Sequence, residues 1–321
     1  MTEVHRTIPP TLVAAIELAA HAPSIHNSQP WFFVVGQQRI DLYADRERWL
    51  KVTDADQRDL LLSCGAALHH LRLGLAAAGI GARVRRLPDQ WDPDRIASIE
   101  LTDQIEAVDH ELVEQIPRRR TDRRPFRSYP VPEAFRRRLI DRAAAQGAVL
   151  RVIDDPGARQ ALVGAFAAAG RAQAGLAGYA DELATWTRES GGSGIPAANV
   201  VRPVPEVVEA ARDFGGGPAA ATDKAPEEAT LVVIGTASDD RLSQLRAGEA
   251  MSAVLLEATR EGLGTCPLSQ PLEIGATRQV IRDRVLAGTL SPQVVLRIGW
   301  APSEPMPPAP RRPVEEIIRS A

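Results

Sequence analysis

The sequence predicts an α+β protein made of two copies of one unit, held together by two long central helices. Three observations predict it. Short β-branched and aromatic runs alternate with amphipathic helical stretches. Two long periodic segments each end in a Gly-x-Gly, at Gly79–Gly81 and Gly262–Gly264. Those two segments also overlay without a gap at an offset of 183 residues, with 9 identical pairs in the 29 positions from 53 to 81. Among the pairs are Asp56/Asp239, Arg58/Arg241, Leu62/Leu245, Gly65/Gly248 and Leu73/Leu256. Chance gives roughly two or three in an Ala-, Leu- and Gly-rich chain. Any two amphipathic helices closed by glycine share part of this pattern, so the offset is weighed together with what each copy keeps.

In chain order, TLVAAIELAAHA (11–22) has apolar residues at helical spacing and stops at Pro23. WFFVV (31–35) and RIDLY (39–43) read as a strand pair around a Gly36–Gln38 turn. A long helix covers 56–79, and strands are expected at 83–87 and 96–101. The stretch 105–117 reads as a helix broken at Pro117, 132–146 as an amphipathic helix, 149–153 as a strand and 158–188 as an Ala-rich helix. Residues 189–227 are dense in Gly and Pro and read as a long loop or lid. A strand at 231–235, the second long helix at 239–261 and a strand at 293–298 follow, then an extended Pro-rich tail at 302–313. The halves divide at 1–104 and 105–321, the latter carrying the lid and a C-terminal extension.

The 321 residues are enough for a substantial core, built from aliphatic side chains because aromatics are only 4%. The net charge of −3 argues against a polyanion-binding surface. The basic residues are almost all Arg, with Lys only at Lys51 and Lys224. Cys64 and Cys266 form no CxxC, which fits reduced thiols in a cytoplasmic protein. No signal peptide is visible, and no apolar run approaches 18 residues, so no membrane span is expected. His69 and His70 are adjacent on a helix and point about 100° apart, which is poor metal geometry. No GxGxxG follows a strand, so a Rossmann domain is not expected.

Four segments can carry chemistry. APSIHNSQPW (22–31) places Ser24, Asn27 and Gln29 at a helix–strand junction, where they can bind a polar heterocycle or simply cap and turn. RRRTDRRPF (118–126) offers Arg forks and a Thr hydroxyl suited to phosphate, or a solvated basic linker. GLGTCPLSQP (262–271) lets the backbone approach a ligand, or merely caps a helix. Arg311 and Arg312 form a basic tail. The first copy keeps the Asn/Gln/Trp turn and the second keeps the Arg cluster and GLGTCPLSQ. Each half retains what the other has lost, which predicts one complete composite site and one ruined one.

Taken together, APSxxNxQPW, RRTDR, GLGTxP and the terminal RRP resemble flavin-dependent nitroreductases. The two-half length and RRRTDRRPF resemble the Acg-like nitroreductases of actinobacteria, over about residues 10 to 318. The resemblance implies a nitroreductase-like fold, a single chain imitating the usual homodimer, and non-covalent FMN between the halves. It implies FMN phosphate contacts from Arg119, Arg120, Thr121 and Arg123, closed by Arg311 or Arg312. It places Pro267, Leu268, Ser269 and Gln270 beside the flavin ring, and Pro23, Ser24, Ile25 and Asn27 in the turn that a partner subunit supplies in ordinary dimers. Ser269-Gln270 stands where typical members carry an acidic or small residue followed by Gly. The implied activity is NAD(P)H-dependent reduction of nitro- or quinone-type acceptors, the chemistry being carried by the flavin without a protein acid or base. A non-catalytic protein that hides FMN behind the 189–227 lid is the alternative. Neither nucleic acid nor membrane is an expected partner, and a monomer suffices.

Overall fold

The computed structural model describes residues 8–105, 107–187, 192–200, 212, 214 and 228–320. The nine helices among these residues are α1 (Pro10–Ala20), α2 (Arg58–Ala77), α3 (His110–Gln115), α4 (Glu133–Ala145), α5 (Pro156–Ala174), α6 (Tyr179–Trp186), α7 (Arg241–Arg260), α8 (Gly275–Val280) and α9 (Val314–Ile317). The strands are β1 (Trp31–Val35), β2 (Arg39–Ala44), β3 (Gly81–Arg86), β4 (Arg95–Thr102), β5 (Val149–Val152), β6 (Thr230–Thr236), β7 (Gly264–Leu268), β8 (Ser291–Gly299) and β9 (Ile318–Ser320). They form a mixed α+β architecture with two sheets, ordered β3-β4-β2-β1-β9 and β5-β6-β8-β7. All pairs are antiparallel except β1 with β9.

The two long helices pack at the centre, buried along most of their length. Two glycines permit the close approach. A Cβ on Gly65 would stand 2.1 Å from the Leu245 carbonyl oxygen, and one on Gly248 would stand 2.1 Å from that of Leu62. These contacts are reciprocal under the 183-residue offset: 65 meets 245 while 248 meets 62. His69 and Ser252, also 183 apart, face each other, with Nδ1 and Oγ 2.9 Å apart. At the start of α2, the Asp54 carboxylate accepts from the Asp59 and Leu60 amides at 2.9 and 2.8 Å, so the helix enters with its orphan N–H groups satisfied.

Three sequence expectations need correction. The segment after Gly262 is the edge strand β7, where Pro267 is tolerated because an edge strand needs no outward N–H. The single helix expected over 158–188 is two, because the chain turns at Gly175–Gly178 and α6 starts after Gly178 at φ +82°. The helix expected over 105–117 is only α3, capped by the Asp109 carboxylate on the Leu112 amide at 3.1 Å. α2 is long and apolar enough to cross a membrane by length and composition, and most of it is buried in this protein's own core. The 302–313 tail is extended as expected; beyond it, β9 crosses to the first sheet and pairs with Phe33–Val35. The 189–227 lid lies largely outside the described residues, apart from 192–200, 212 and 214.

Candidate functional site

One cavity gathers three of the four segments together with the tail. Its walls include Pro23, Ser24, Ile25 and Asn27 from the turn after α1, Arg119, Arg120, Thr121 and Arg123 from the arginine segment, Pro267, Leu268, Ser269 and Gln270 from the end of β7, and Arg311. Arg312 is not in the wall. Its guanidinium is buried behind the turn, where it donates to the Gln29 and Trp31 carbonyls and pairs with Asp45 at 3.4 Å. Of the two tail arginines, Arg311 faces the cavity and Arg312 anchors the tail.

The turn is strained and locked. His26, Asn27 and Gln29 all take left-handed φ values of +47°, +55° and +50°. Such conformations need over-determination by their surroundings. Ser24 Oγ accepts from the Gln29 amide at 2.9 Å, and Ser63 Oγ on α2 accepts from the Ile25 amide at 3.2 Å. The Asn27 amide donates to the Gly194 and Pro310 carbonyls at 2.9 and 3.0 Å, and its Oδ1 accepts from Arg311. Gln29 donates to the Gly192 carbonyl at 2.8 Å and accepts from the Arg312 amide at 2.9 Å. The polar groups read as ligand contacts thus tie the tail and residues 192–194 across the cavity.

The arginine segment is fixed to the second sheet. The Asp122 amide donates to the Thr265 carbonyl at 2.8 Å. Arg297 of β8, fully buried, donates to the Asp122 and Arg124 carbonyls and lies 4.6 Å over the Phe126 ring. Gly264 and Gly299 leave room for that ring, since a Cβ at either would stand 2.8 Å from it. The second glycine of GLGT therefore serves Phe126 rather than a ligand. Gly262, at φ +75°, is the helix C-cap.

The electrostatics divide the cavity. Arg119, Arg120 and Arg311 form one pole, and no salt bridge to any of them occurs among the described residues. Arg119 is only 4% exposed, and its Nε and Nη1 have no hydrogen-bond partner there; neither does Arg311 Nε. Burial and Arg120 pull Arg119 down to about 10; burial, Arg119 and Arg120 pull Arg311 down to about 9. His21 feels the same field: burial, then Arg311, Arg119 and Arg120 lower it to about 4, so it is neutral at physiological pH. Buried like charges without counterions constitute a standing demand for an anion.

Arg123 stands apart from that pole. After burial, the groups that weigh most on it are Cys266, Arg212, Arg297 and Asp122. Its guanidinium lies 4.9 Å over the Phe214 ring and donates to the Asn199 carbonyl at 3.3 Å. A third region contains Asp59 of α2, Ser269 and the buried Glu273. Glu273 pairs with Arg212 and accepts from Gln173 and from Ser269 Oγ, the last at 2.7 Å. Gln270 donates to Gln173 at 2.9 Å. The Ser269 and Gln270 side chains are thus held by the wall. Burial and Glu273 raise the Asp59 carboxyl to about 7.

Sequence reasoning missed Asp59, Leu62, Met251, Arg212, Phe214 and Glu273, and left His26 open between the pocket wall and a plain turn residue. Asp59, Leu62 and Ser63 were discoverable, because positions i, i+3 and i+4 of a helix share a face. Arg212, Phe214 and Glu273 carried no local signal.

Fold and cavity together define a two-sheet α+β protein with an arginine-walled cleft. No family model matches the chain. It is 39% identical over 320 residues to "Putative NAD(P)H nitroreductase Rv3131" of Mycobacterium tuberculosis, covering 96% of this chain and 91% of that one. It is 37% identical over 316 residues to "Putative NAD(P)H nitroreductase acg" of the same organism, covering 95% and 94%. The chain belongs to this family of Acg-like nitroreductases. Among solved structures it is similar to the FMN-dependent nitroreductase NfnB from Mycobacterium smegmatis in complex with NADPH, with 16% identity, TM-score 0.39, and 65% of this chain and 97% of that one covered. A nitroreductase with bound FMN from Desulfitobacterium hafniense gives 14% identity, TM-score 0.42 and the same coverages.

Proposed function

We propose that this chain is an FMN-dependent oxidoreductase that takes electrons from NAD(P)H and passes them to nitro- or quinone-type acceptors. The carrying observation is the pole of buried Arg119 with half-buried Arg120 and Arg311, without a counterion among the described residues, at one end of a cleft also walled by the turn and β7. An FMN phosphate fits this pole by charge and by donor set: guanidinium atoms lacking partners are what such an anion satisfies. Arg119, Arg120, Thr121 and Arg311 would hold the phosphate. Arg123 would supply positive charge beside the planar ring, with Pro267–Gln270 along one edge and Pro23–Ile25 along another. Bound FMN supplies hydride acceptance and electron delivery. The protein's own contribution is to orient, to exclude water with Ile195, Asn199, Arg212 and Phe214, and to bias charge through Arg123.

The reading extends to architecture. Two halves, 1–104 and 105–321, would imitate a homodimer within one chain, so that a monomer suffices. The reciprocal Gly65 and Gly248 contacts and the facing His69 and Ser252 support a pseudo-twofold axis, as at an isologous interface. The second, ruined site would lie at the offset positions. There the fully buried Glu249 is clamped by Arg86 at 2.6 Å and Arg72 at 3.2 Å, so side chains fill that space.

The test is an absorbance spectrum of the purified protein, followed by anaerobic NADPH or NADH. One FMN per chain, bleached by nucleotide, is expected. A colourless protein that cannot be reconstituted with FMN would sink the reading; a flavin that ignores both nucleotides but bleaches with dithionite would remove the enzymatic part.

A further inference from the structure

The geometry points to His26 as the side chain that hydrogen-bonds the electron acceptor, a planar, oxygen-bearing aromatic lying in the cavity against the wall that His26 and Phe214 form together. This deepens the flavin-oxidoreductase reading and rests on it.

His26 lines the cavity and is 7% exposed, yet among the described residues neither Nδ1 nor Nε2 has a hydrogen-bond partner. A buried polar group left unpaired is unfavourable and rare, and it marks a position that a ligand completes. The other two deeply buried histidines differ: His69 meets Ser252 Oγ at 2.9 Å and His70 meets the Leu18 carbonyl at 3.2 Å. His26 also sits at φ +47°, a conformation unfavourable for a residue with a Cβ. The locks at Ser24, Ser63 and Asn27 hold it there.

Its surroundings specify the ligand. The ring stands edge-on to Phe214, with centroids 5.5 Å apart and planes at 77°. The Arg123 guanidinium lies over the same Phe214 ring. Burial, with Arg212 and Arg123, holds the imidazole neutral, so it presents one N–H and one lone pair. An aromatic wall favours a planar ring, the N–H suits a nitro or carbonyl oxygen, and nearby cations favour an electron-rich or anionic acceptor. The phosphate pole is elsewhere: the charges weighing on His26 are Arg212 and Arg123, whereas those on His21 are Arg311, Arg119 and Arg120.

The test uses full-length, FMN-loaded protein with His26→Phe, which keeps a ring without a donor, and His26→Gln, which keeps an N–H. The first readout needs no turnover: binding of 4-nitrobenzoate to the oxidised protein without nucleotide, by calorimetry. His26→Phe should weaken it about 10-fold, equivalent to the loss of one hydrogen bond of about 1.4 kcal/mol. His26→Gln should stay within about threefold of wild type. FMN content should be unchanged in both. The proposal is overturned if His26→Phe binds 4-nitrobenzoate like wild type or if it loses FMN. A wild-type protein that takes up no FMN overturns the flavin reading instead.

Discussion

Replacing Arg119 by methionine should make the ligand-free protein more stable while weakening its grip on FMN. Arg119 is buried among like charges, and that environment pulls its guanidinium below its ordinary value, down to about 10. A displacement of that size corresponds to roughly 3 kcal/mol against the charged form. The lowered value means that the penalty is complete wherever the guanidinium is protonated in both folded and unfolded protein, below about pH 10. The gain should therefore be constant between pH 6 and 9. Methionine keeps the apolar stem and removes the charge. At about 2–4 °C per kcal/mol, the melting temperature of the apoprotein should rise by several degrees. The same substitution removes charge-assisted hydrogen bonds worth about 1.5–3 kcal/mol each, so FMN should dissociate about 10- to 150-fold more readily. The assays are calorimetry of flavin-stripped protein and flavin-fluorescence titration. A less stable apoprotein that still binds FMN like wild type would refute the reasoning, because Arg119 would then be a structural cation with a partner.

Two further predictions concern the central helices. Gly65→Ala and Gly248→Ala each drive a Cβ into a backbone carbonyl at 2.1 Å, which neither helix can yield without separating. Each should cost about 3 kcal/mol or more and depress soluble yield and melting temperature to a similar extent, whereas Gly262→Ala, with open space around it but φ +75°, should cost about 1 kcal/mol. Asp59 is raised to about 7 by burial, against the pull of Arg58 and Arg212. Between about pH 4 and 7 the folded protein thus binds a proton that the unfolded chain has released, so this group lowers stability as pH rises through that window. Asp59→Asn should remove that slope, and superimposable profiles of melting temperature against pH for wild type and variant would contradict the assignment.

Much of this protein was legible before folding. Local periodicity located α2, α7 and most strands, because amphipathic patterning is a property of neighbouring residues. The offset repeat singled out Gly65 and Gly248, and the motif residues around Pro23, Arg119 and Pro267 do line one cavity. What sequence could not separate were roles that depend on what lies opposite. Arg311 and Arg312 are adjacent, yet one side chain faces the cavity and the other packs against Asp45. Asn27 and Gln29 look like ligand contacts, and only the structure shows that their side chains also fasten residues 192–194 and the tail. Gly264 looks like a ligand-approach glycine and makes room for Phe126. β7 was hidden because Pro and Gly weaken strand propensity, and only pairing with β8 decides that strand.

The sequence by itself determined the mixed α+β class, the long central helices and the place of the arginine segment, because these follow from patterning and composition along the chain. Only the tertiary structure decided which cations lack counterions, where Glu273 and Arg212 meet, and that His26 stands unpaired in the cavity wall. Those are properties of enclosure: the free energy of a buried charge or hydrogen-bonding group is set by what packs around it, including residues far apart in sequence such as Arg212 and Glu273.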